Sequence, residues 1–561
     1  MEPDPISELP RPKGRQRAKK ACTECRRRKR KCDGHSPCLM CSQYDYVCRY
    51  EEEAGLVHSL PKRPFEADSR RGDASNAFRV SSPSPEDSSR QDPKTPTTPV
   101  SPLNRGVIEP AKRRYMSQSS AVAFPNQLGV ELKSPHPPRL HSFGWNCGIR
   151  SEEQGSVHTP LTEFVSWDEC RRYAEVYFAN VDAPFHLFDK AKFLQQCEVY
   201  YSGPNQHLVL GAVIGGVVAL GSLFSFRQGH ALESEIVKHV KDVLEDSVFS
   251  RLPSVDQVNA WILRTLYLRA TTRPHLTWLA SCNVMHLVEA VGLHRDIDSD
   301  LVTQTVEAPA VEDEGHKRTF WIAWSVNTLI AYEYGRSKIH FDGVESRLVP
   351  FADDSDAGLQ VRMARALPNE GSGGDVVSVS RSLENAIFKL SELGDIKGFP
   401  ALTRGDICFC LYRRLRLLKI SVSRDTVSHI LTIGHTAVEA ASEFAQREIP
   451  WWNVLGTTFQ FFCVLLAIDN YESLAQVSWV HAKLREVYHR FETRMGLEAL
   501  EAAATLRKAL LTKKQQEINL LTPEDQVFAP FPEREFTPDW DVVLNPYYTT
   551  GAFNFTDFGG V

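Results

Sequence analysis

Six cysteines, Cys22, Cys25, Cys32, Cys38, Cys41 and Cys48, follow the spacing C-x2-C-x6-C-x5-C-x2-C-x6-C, and Arg26-Arg27-Arg28-Lys29-Arg30-Lys31 fills the first six-residue gap. Thiols and cations at this density cannot build a hydrophobic core. Thiolates hold metal, and clustered cations hold a polyanion. Zinc takes four sulfurs in a tetrahedron at about 2.3 Å. Six cysteines cannot give two zinc ions four sulfurs each unless two sulfurs are shared. The thiolates would leave such a cluster negative, and the Arg/Lys run offsets that charge. The two halves are alike, each C-x2-C then six residues then a cysteine, and Pro37 before Cys38 suits a turn between two short helical pieces.

Charge separates this end from the rest. Residues 1–50 hold 13 of the 65 Lys/Arg and 6 of the 70 Asp/Glu, so the remaining 511 residues carry 52 basic against 64 acidic side chains. A concentrated cation on a mildly acidic body points to a nucleic-acid-binding end joined to a regulatory or scaffolding part. The other seven cysteines are scattered with no second metal spacing, and the N-terminus has no apolar core of a signal peptide. An intracellular, reducing compartment is expected, where clustered cysteines hold metal rather than form disulfides.

The elements that must carry this module fall into zones. Residues 1–50 form the cysteine module, with its core at 22–48. Residues 51–164 read as a disordered Pro/Ser-rich linker; residues 51–150 alone hold 13 of the 33 prolines, and burial there could not offset the entropy of ordering. The linker contains Ser/Thr-Pro pairs from Ser82-Pro83 to Ser134-Pro135, candidate sites for proline-directed kinases, and Lys112-Arg113-Arg114, a weaker candidate import signal. Residues 165–521 carry apolar side chains at three-to-four spacing almost throughout and predict one large all-α body. The helices expected are Trp167–Val181, Lys190–Tyr201, Leu208–Phe226, Leu232–Phe249, Val255–Ala270, Leu276–Leu293 and Lys317–Tyr334. After a Gly/Asp-rich loop at 351–375 follow Val379–Leu393, Leu402–Ile420, Ser423–Glu448, Trp452–Ala475, Ser478–Arg494 and Leu497–Leu521. Leu208–Phe226 is uncharged for nineteen residues, but its four glycines favour a buried core helix over a membrane span. Residues 522–561 mix seven acids and one base with nine aromatics, the composition of a candidate activation segment, or of a tail that docks back on the body.

The cysteine spacing, the basic run and the proline before the fourth cysteine together resemble the fungal zinc binuclear-cluster (two zinc, six cysteine) transcription factors. The resemblance implies a small module of two short helices around two zinc ions. It makes Cys22 and Cys38 the bridging ligands and Cys25, Cys32, Cys41 and Cys48 the terminal ones. It points to Arg28 and Lys29 as readers of base edges, in CGG-like triplets. Tyr177-Phe178-Ala179-Asn180-Val181 with Pro184-Phe185, Gly292-Leu293-His294-Arg295-Asp296, Arg318-Thr319-Phe320-Trp321, and Gly335-Arg336 before Leu348-Val349-Pro350 resemble the family's middle regulatory domain. Two departures stand out: Asn327-Thr328 replaces an Asp-Arg pair, and Ser337 replaces the proline of Gly-Arg-Pro.

A short helix from Cys25, pinned by metal at both ends, would project cations into the major groove, where Arg or Lys bonds guanine O6 and N7. Arg26, Arg27, Arg30, Lys31, Lys19 and Lys20, with Arg15 and Arg17 upstream, would hold phosphates, which position without reading sequence. RNA readers usually offer aromatic stacking platforms, and here only Tyr44, Tyr46 and Tyr50 are near. His35 reads as a loop residue rather than a ligand. No P-loop, Gly-rich dinucleotide turn, G-x-S-x-G or HExxH occurs, so no catalytic residues are assigned and an enzyme is not expected. Trp451-Trp452-Asn453-Val454-Leu455-Gly456 is distinctive and reads first as core. Pro61 and Pro64 interrupt any heptad run at Leu56, Leu60 and Phe65, so a homodimer would form through the helical body, or one half-site is bound. The expected function is a nuclear, sequence-specific regulator of RNA polymerase II genes and an activator, with duplex promoter DNA and transcription machinery or coactivators as partners and no membrane role. The alternative is a zinc-dependent repressor or architectural DNA binder.

Overall fold

In the computed structural model the described residues are 21–27, 32, 34–35, 38, 41, 48–50, 106–109, 114–117, 120–121, 123–138, 149–150, 154–204, 206–246, 253–295, 310–341, 349–368 and 375–521. The chain divides into two units, Met1–Thr95 and Pro96–Val561. The first contains helix α1 (Thr23–Arg27). The second opens with strands β1 (Gly106–Glu109) and β2 (Arg114–Ser117), paired antiparallel with Gly106 opposite Ser117. Helix α2 (Phe124–Glu131) follows.

The helical body then runs α3 (Trp167–Asn180), α4 (Lys190–Ser202), α5 (Leu208–Phe224), α6 (Glu233–Glu245), α7 (Val255–Thr271), α8 (Pro274–Val291) and α9 (Ala310–Glu333). Its second half runs α10 (Asp356–Ala366), α11 (Val376–Ser391), α12 (Gly398–Leu417), α13 (Arg424–Gln446), α14 (Asn453–Ile468), α15 (Tyr471–Phe491) and α16 (Arg494–Leu521). Helix starts are set by local chemistry. Ser166 caps α3 and Ser254 caps α7, each in a reciprocal box with the residue three on, Glu169 and Gln257. Gly292 ends α8 at φ 84°, a left-handed position that suits glycine.

Helix α5 is the axis of the first half and packs on α3, α6 and α7. It is buried almost throughout, which explains its lack of charge. Its glycines let neighbours close in: a Cβ on Gly221 would collide with the Tyr173 carbonyl oxygen of α3, and one on Gly216 would come within 2.9 Å of Leu263 Cβ of α7. Among the described residues, no helix is long and apolar enough to cross a membrane. Each fully buried large apolar side chain, such as Ile214, Leu220 or Leu263, contributes roughly 1.5–3 kcal/mol.

Two expectations are corrected and one is narrowed. Within the linker read at 51–164, β1, β2 and α2 form, while residues 51–105 lie outside the described residues. Tyr115 of β2 packs edge-on against His294 at 4.8 Å, and the Arg295 guanidinium lies 5.6 Å from the Tyr115 ring. One aromatic, Tyr115, gives the strand pair a docking point that average composition hides. The loop at 351–375 contains α10, capped by Ser355 and burying Leu359, Val361 and Met363. The helix expected over Trp452–Ala475 is two helices. α14 ends at Asp469, which is left-handed at φ 56°, and Asn470 caps α15 with Ser473.

The family-like motifs sit in the core. Tyr177 and Phe320 are fully buried. Where the resembled pattern carries Asp-Arg, buried Asn327 takes over with neutral hydrogen bonds: its Nδ2 donates to Ser281 Oγ at 3.0 Å and its Oδ1 accepts from the Ile339 amide at 3.0 Å. The charge pair of the resembled pattern is thus replaced by a hydrogen-bonded amide. At the Gly335-Arg336-Ser337 turn, the Trp278 indole donates to the Ser337 carbonyl at 3.0 Å, while Arg336 lies 5.3 Å from the Trp278 ring.

Candidate metal centre

Helix α1 begins at Thr23, two residues before the expected start, because the Cys22 carbonyl already accepts from the Arg26 amide at 2.9 Å. Its N-terminal end is tied to the end of the module, where the Thr23 amide and hydroxyl both donate to the Arg49 carbonyl at 2.8 Å. The two C-x2-C segments repeat one geometry. The Cys25 amide donates to Cys22 Sγ at 3.4 Å, and the Cys41 amide donates to Cys38 Sγ at 3.3 Å.

All six cysteines converge. Cys22, Cys38 and Cys41 are sealed from solvent, Cys25 nearly so, and Cys32 and Cys48 are half-buried. Their sulfurs form two groups, Cys22–Cys25–Cys32–Cys38 and Cys22–Cys38–Cys41–Cys48, with the ligand atoms of each within 4.8 Å of one another. Cys22 and Cys38 belong to both groups. The Sγ–Sγ separations are 3.7 Å for Cys22–Cys38, 3.5 Å for Cys22–Cys41 and 3.6 Å for Cys25–Cys38. A disulfide needs about 2.05 Å, so these are free thiols. A zinc tetrahedron with bonds of about 2.3 Å has edges of about 3.8 Å, which these separations approach.

Protonation fits the same chemistry. Burial pushes the Cys22 thiol up, but hydrogen bonds from the Cys25 amide and from Cys25, Cys41 and Cys38 outweigh it, bringing its pKa down to about 6. Burial and hydrogen bonding to Cys22 push Cys25 up to about 12, and burial with bonding to Cys38 pushes Cys41 up further. Crowded sulfurs cannot all ionise without a cation among them. A divalent metal removes that conflict and releases the remaining protons.

Tyr50 is a contributor that sequence reasoning missed, because an aromatic two residues after the last cysteine reads only as a stacking side chain. Its hydroxyl donates to the His35 carbonyl at 3.0 Å and lies 3.3 Å from Cys32 Sγ. His35 therefore serves through its backbone. Of the candidate DNA contacts, Arg26 is exposed on α1 and Arg27 closes that helix. Arg28, Lys29, Arg30, Lys31, Lys19 and Lys20 lie outside the described residues, as do residues 522–561 and the interrupted heptad at 56–65.

Residues 20–55 match the fungal Zn(2)-Cys(6) binuclear cluster domain, and residues 174–362 match the fungal specific transcription factor domain. Over 541 residues the chain is 40% identical to Protein RDR1 of Saccharomyces cerevisiae, covering 95% of this chain and 97% of that protein. It is 33% identical to the transcription factor kojR of Aspergillus oryzae, over 90% of this chain and 86% of the other. A Schizosaccharomyces pombe protein described as a probable transcriptional repressor is 25% identical over 78% of this chain and 93% of its own length. Sulfur geometry, both domain matches and full-length similarity agree: this chain belongs to the fungal zinc-cluster transcription factors and is a zinc-binding, DNA-binding transcription factor.

Proposed function

We propose that the chain acts in the nucleus as a sequence-specific activator of RNA polymerase II genes, its metal module reading CGG-like triplets in duplex promoter DNA. Cys22, Cys25, Cys32, Cys38, Cys41 and Cys48 would hold two zinc ions, with Cys22 and Cys38 shared. The observation that carries this is the membership of those two sulfurs in both groups of four. Bound zinc supplies a rigid base of fixed charge. The chain's own residues do the reading: α1 starts beside the cluster and runs toward the basic segment. Arg28 and Lys29 would reach base edges, while Arg26, Arg27, Arg30, Lys31, Lys19 and Lys20 would hold phosphates. The segment 522–561 would contact coactivators, the helical body carries any homodimer contact, and no residue is assigned a catalytic role.

Gel-shift titration of the zinc-loaded protein tests the reading. Arg28→Ala or Lys29→Ala should erase the preference for a CGG duplex over a scrambled one, about 1–3 kcal/mol per base contact. Arg26→Ala should weaken both duplexes alike and reduce the salt slope by about one. Equal losses on both duplexes for Arg28 and Lys29 would refute the assignment. Duplexes with one and two triplets give the stoichiometry.

The repressor reading is favoured by one observation, the description of the fission-yeast relative. Fusing residues 522–561 to a neutral DNA-binding domain separates the two. Reporter gain supports the activator, and no gain the repressor.

A further inference from the structure

A cavity of about 60 Å³ lies inside the helical body, between helices from both of its halves. Arg269 of α7 and Glu333 of α9 line one side, and Asp406 of α12 with Asn453 of α14 line the other. Phe185, Phe399 and Trp452 supply aromatic wall. The Trp451-Trp452-Asn453 motif therefore does two things: Trp451 packs on Phe399 with ring centroids 4.1 Å apart, and the next two residues open onto the cavity.

The polar groups do not balance. Arg269 Nη2 donates to Glu333 Oε1 at 2.6 Å, which matches one cation to one anion. Asp406 forms no salt bridge among the described residues and feels Arg269 only as a guanidinium that Glu333 already pairs. Its Oδ1 accepts from Thr457 Oγ1 at 2.5 Å and its Oδ2 from Asn453 Nδ2 at 3.1 Å, both neutral donors. Asn453, only 3% exposed, keeps its Oδ1 without a hydrogen-bond partner. Gln360 is occupied across the cavity, donating to Thr403 Oγ1 at 3.2 Å. Burying an uncompensated carboxylate is costly, so an ionised Asp406 calls for a cation. An orphan buried acceptor calls for a donor.

We infer that this cavity binds a small primary ammonium. One –NH3+ group has three donors and one positive charge, matching the Asp406 carboxylate, the Asn453 carbonyl and the net charge deficit together. Its short alkyl body suits the apolar faces of Phe185 and Phe399, while the Trp452 ring already faces the Arg269 guanidinium at 5.4 Å. An anion would meet two carboxylates, and the guanidinium that lines the cavity, Arg269, is already paired with Glu333. A neutral apolar molecule would leave Asp406 and Asn453 unmet. A hydrated divalent ion needs six or more oxygens, and the aromatic wall supplies none. A proton is the alternative occupant: burial, then the Glu333 charge, outweigh Thr457, Asn453 and Arg269 and push Asp406 up to about 7.

The test is ligand-detected NMR titration of the zinc-loaded full-length protein at pH 8. The probes are n-propylammonium chloride, sodium propionate, 1-propanol and potassium chloride, at matched ionic strength. The expected result is saturable propylammonium binding, with a dissociation constant on the order of 1 mM for so few atoms. Propionate and propanol should not saturate, and potassium should not displace the amine. Asp406→Asn, nearly isosteric, should weaken binding at least about tenfold. Should that variant misfold, Asn453→Leu replaces it and should weaken binding too. Unsaturable propylammonium, equal binding of propanol, displacement by potassium, or full affinity in a folded variant overturns the inference.

Discussion

Sharing of sulfurs makes a sharp forecast for single cysteine replacements. Cys38 stands in both groups of four, and Cys41 in one. Cys41→Ser therefore leaves Cys22, Cys25, Cys32 and Cys38 intact as a complete tetrahedral set. Cys38→Ser leaves each group with three sulfurs. Structural zinc in small peptides contributes about 10–16 kcal/mol, so each of four sulfurs accounts for about 2.5–4 kcal/mol, on the order of 10²–10³ in affinity. Zinc per chain, read by elemental analysis across a chelator titration, should show one ion retained tightly by Cys41→Ser. Under the same chelator Cys38→Ser should retain none, and Cys22→Ser should behave like Cys38→Ser. The difference between bridging and terminal positions is the informative quantity. Equal zinc retention by Cys38→Ser and Cys41→Ser would refute the shared arrangement, even if both variants lost DNA binding.

Other consequences can be measured in the helical body. Asn327→Leu strips the partner from the Ile339 amide and should cost about 1–3 kcal/mol in urea denaturation. Gly221→Ala drives a methyl into the Tyr173 carbonyl of α3 and should cost at least about 1–3 kcal/mol by the same measurement. His294 is buried; burial first, then Arg295, pull its pKa from 6.5 to about 4 despite a bond to the Val288 carbonyl. The unfolded chain then binds more protons between those pH values, so stability is full above pH 6.5 and falls toward pH 4, by about 2 kcal/mol at pH 5. His294→Phe should flatten that part of the pH profile, and an unchanged profile would rule His294 out as its source.

The metal module was legible because its signal is chemical rather than cooperative. Six cysteines at set gaps specify ligands directly, and the fold only has to bring them together. The helices were legible because apolar spacing and caps such as Ser166 with Glu169 act within a few residues. The breaks were not. Asp469-Asn470 ends one helix and starts another inside a stretch whose apolar pattern runs on, and left-handed Asp469 is a choice that packing on either side enforces. Helix α10 hid because Gly and Asp dominate the flanks of a short apolar stripe. Docking of Tyr115 on His294 joins residues far apart in the chain, which no local pattern records. The imbalance around Asp406 was likewise invisible, since its groups come from four helices.

The aromatic cluster that joins the two halves of the helical body has a bearing on how the molecule can be divided. Phe185 and Phe224 meet Trp451, at 6.3 Å and 4.6 Å between ring centres, and Trp451 packs at a 39° tilt on Phe399. The segment matched to the fungal transcription factor domain stops at 362, within α10 and short of both Phe399 and Trp451. Expressed alone, residues 174–362 would present Phe185 and Phe224 to water and leave the Arg269–Glu333 pair without the Asp406 and Asn453 side of the cavity. The evolutionary signature and the cooperative folding unit are therefore different lengths of chain, and a fragment meant to fold on its own has to extend past α14.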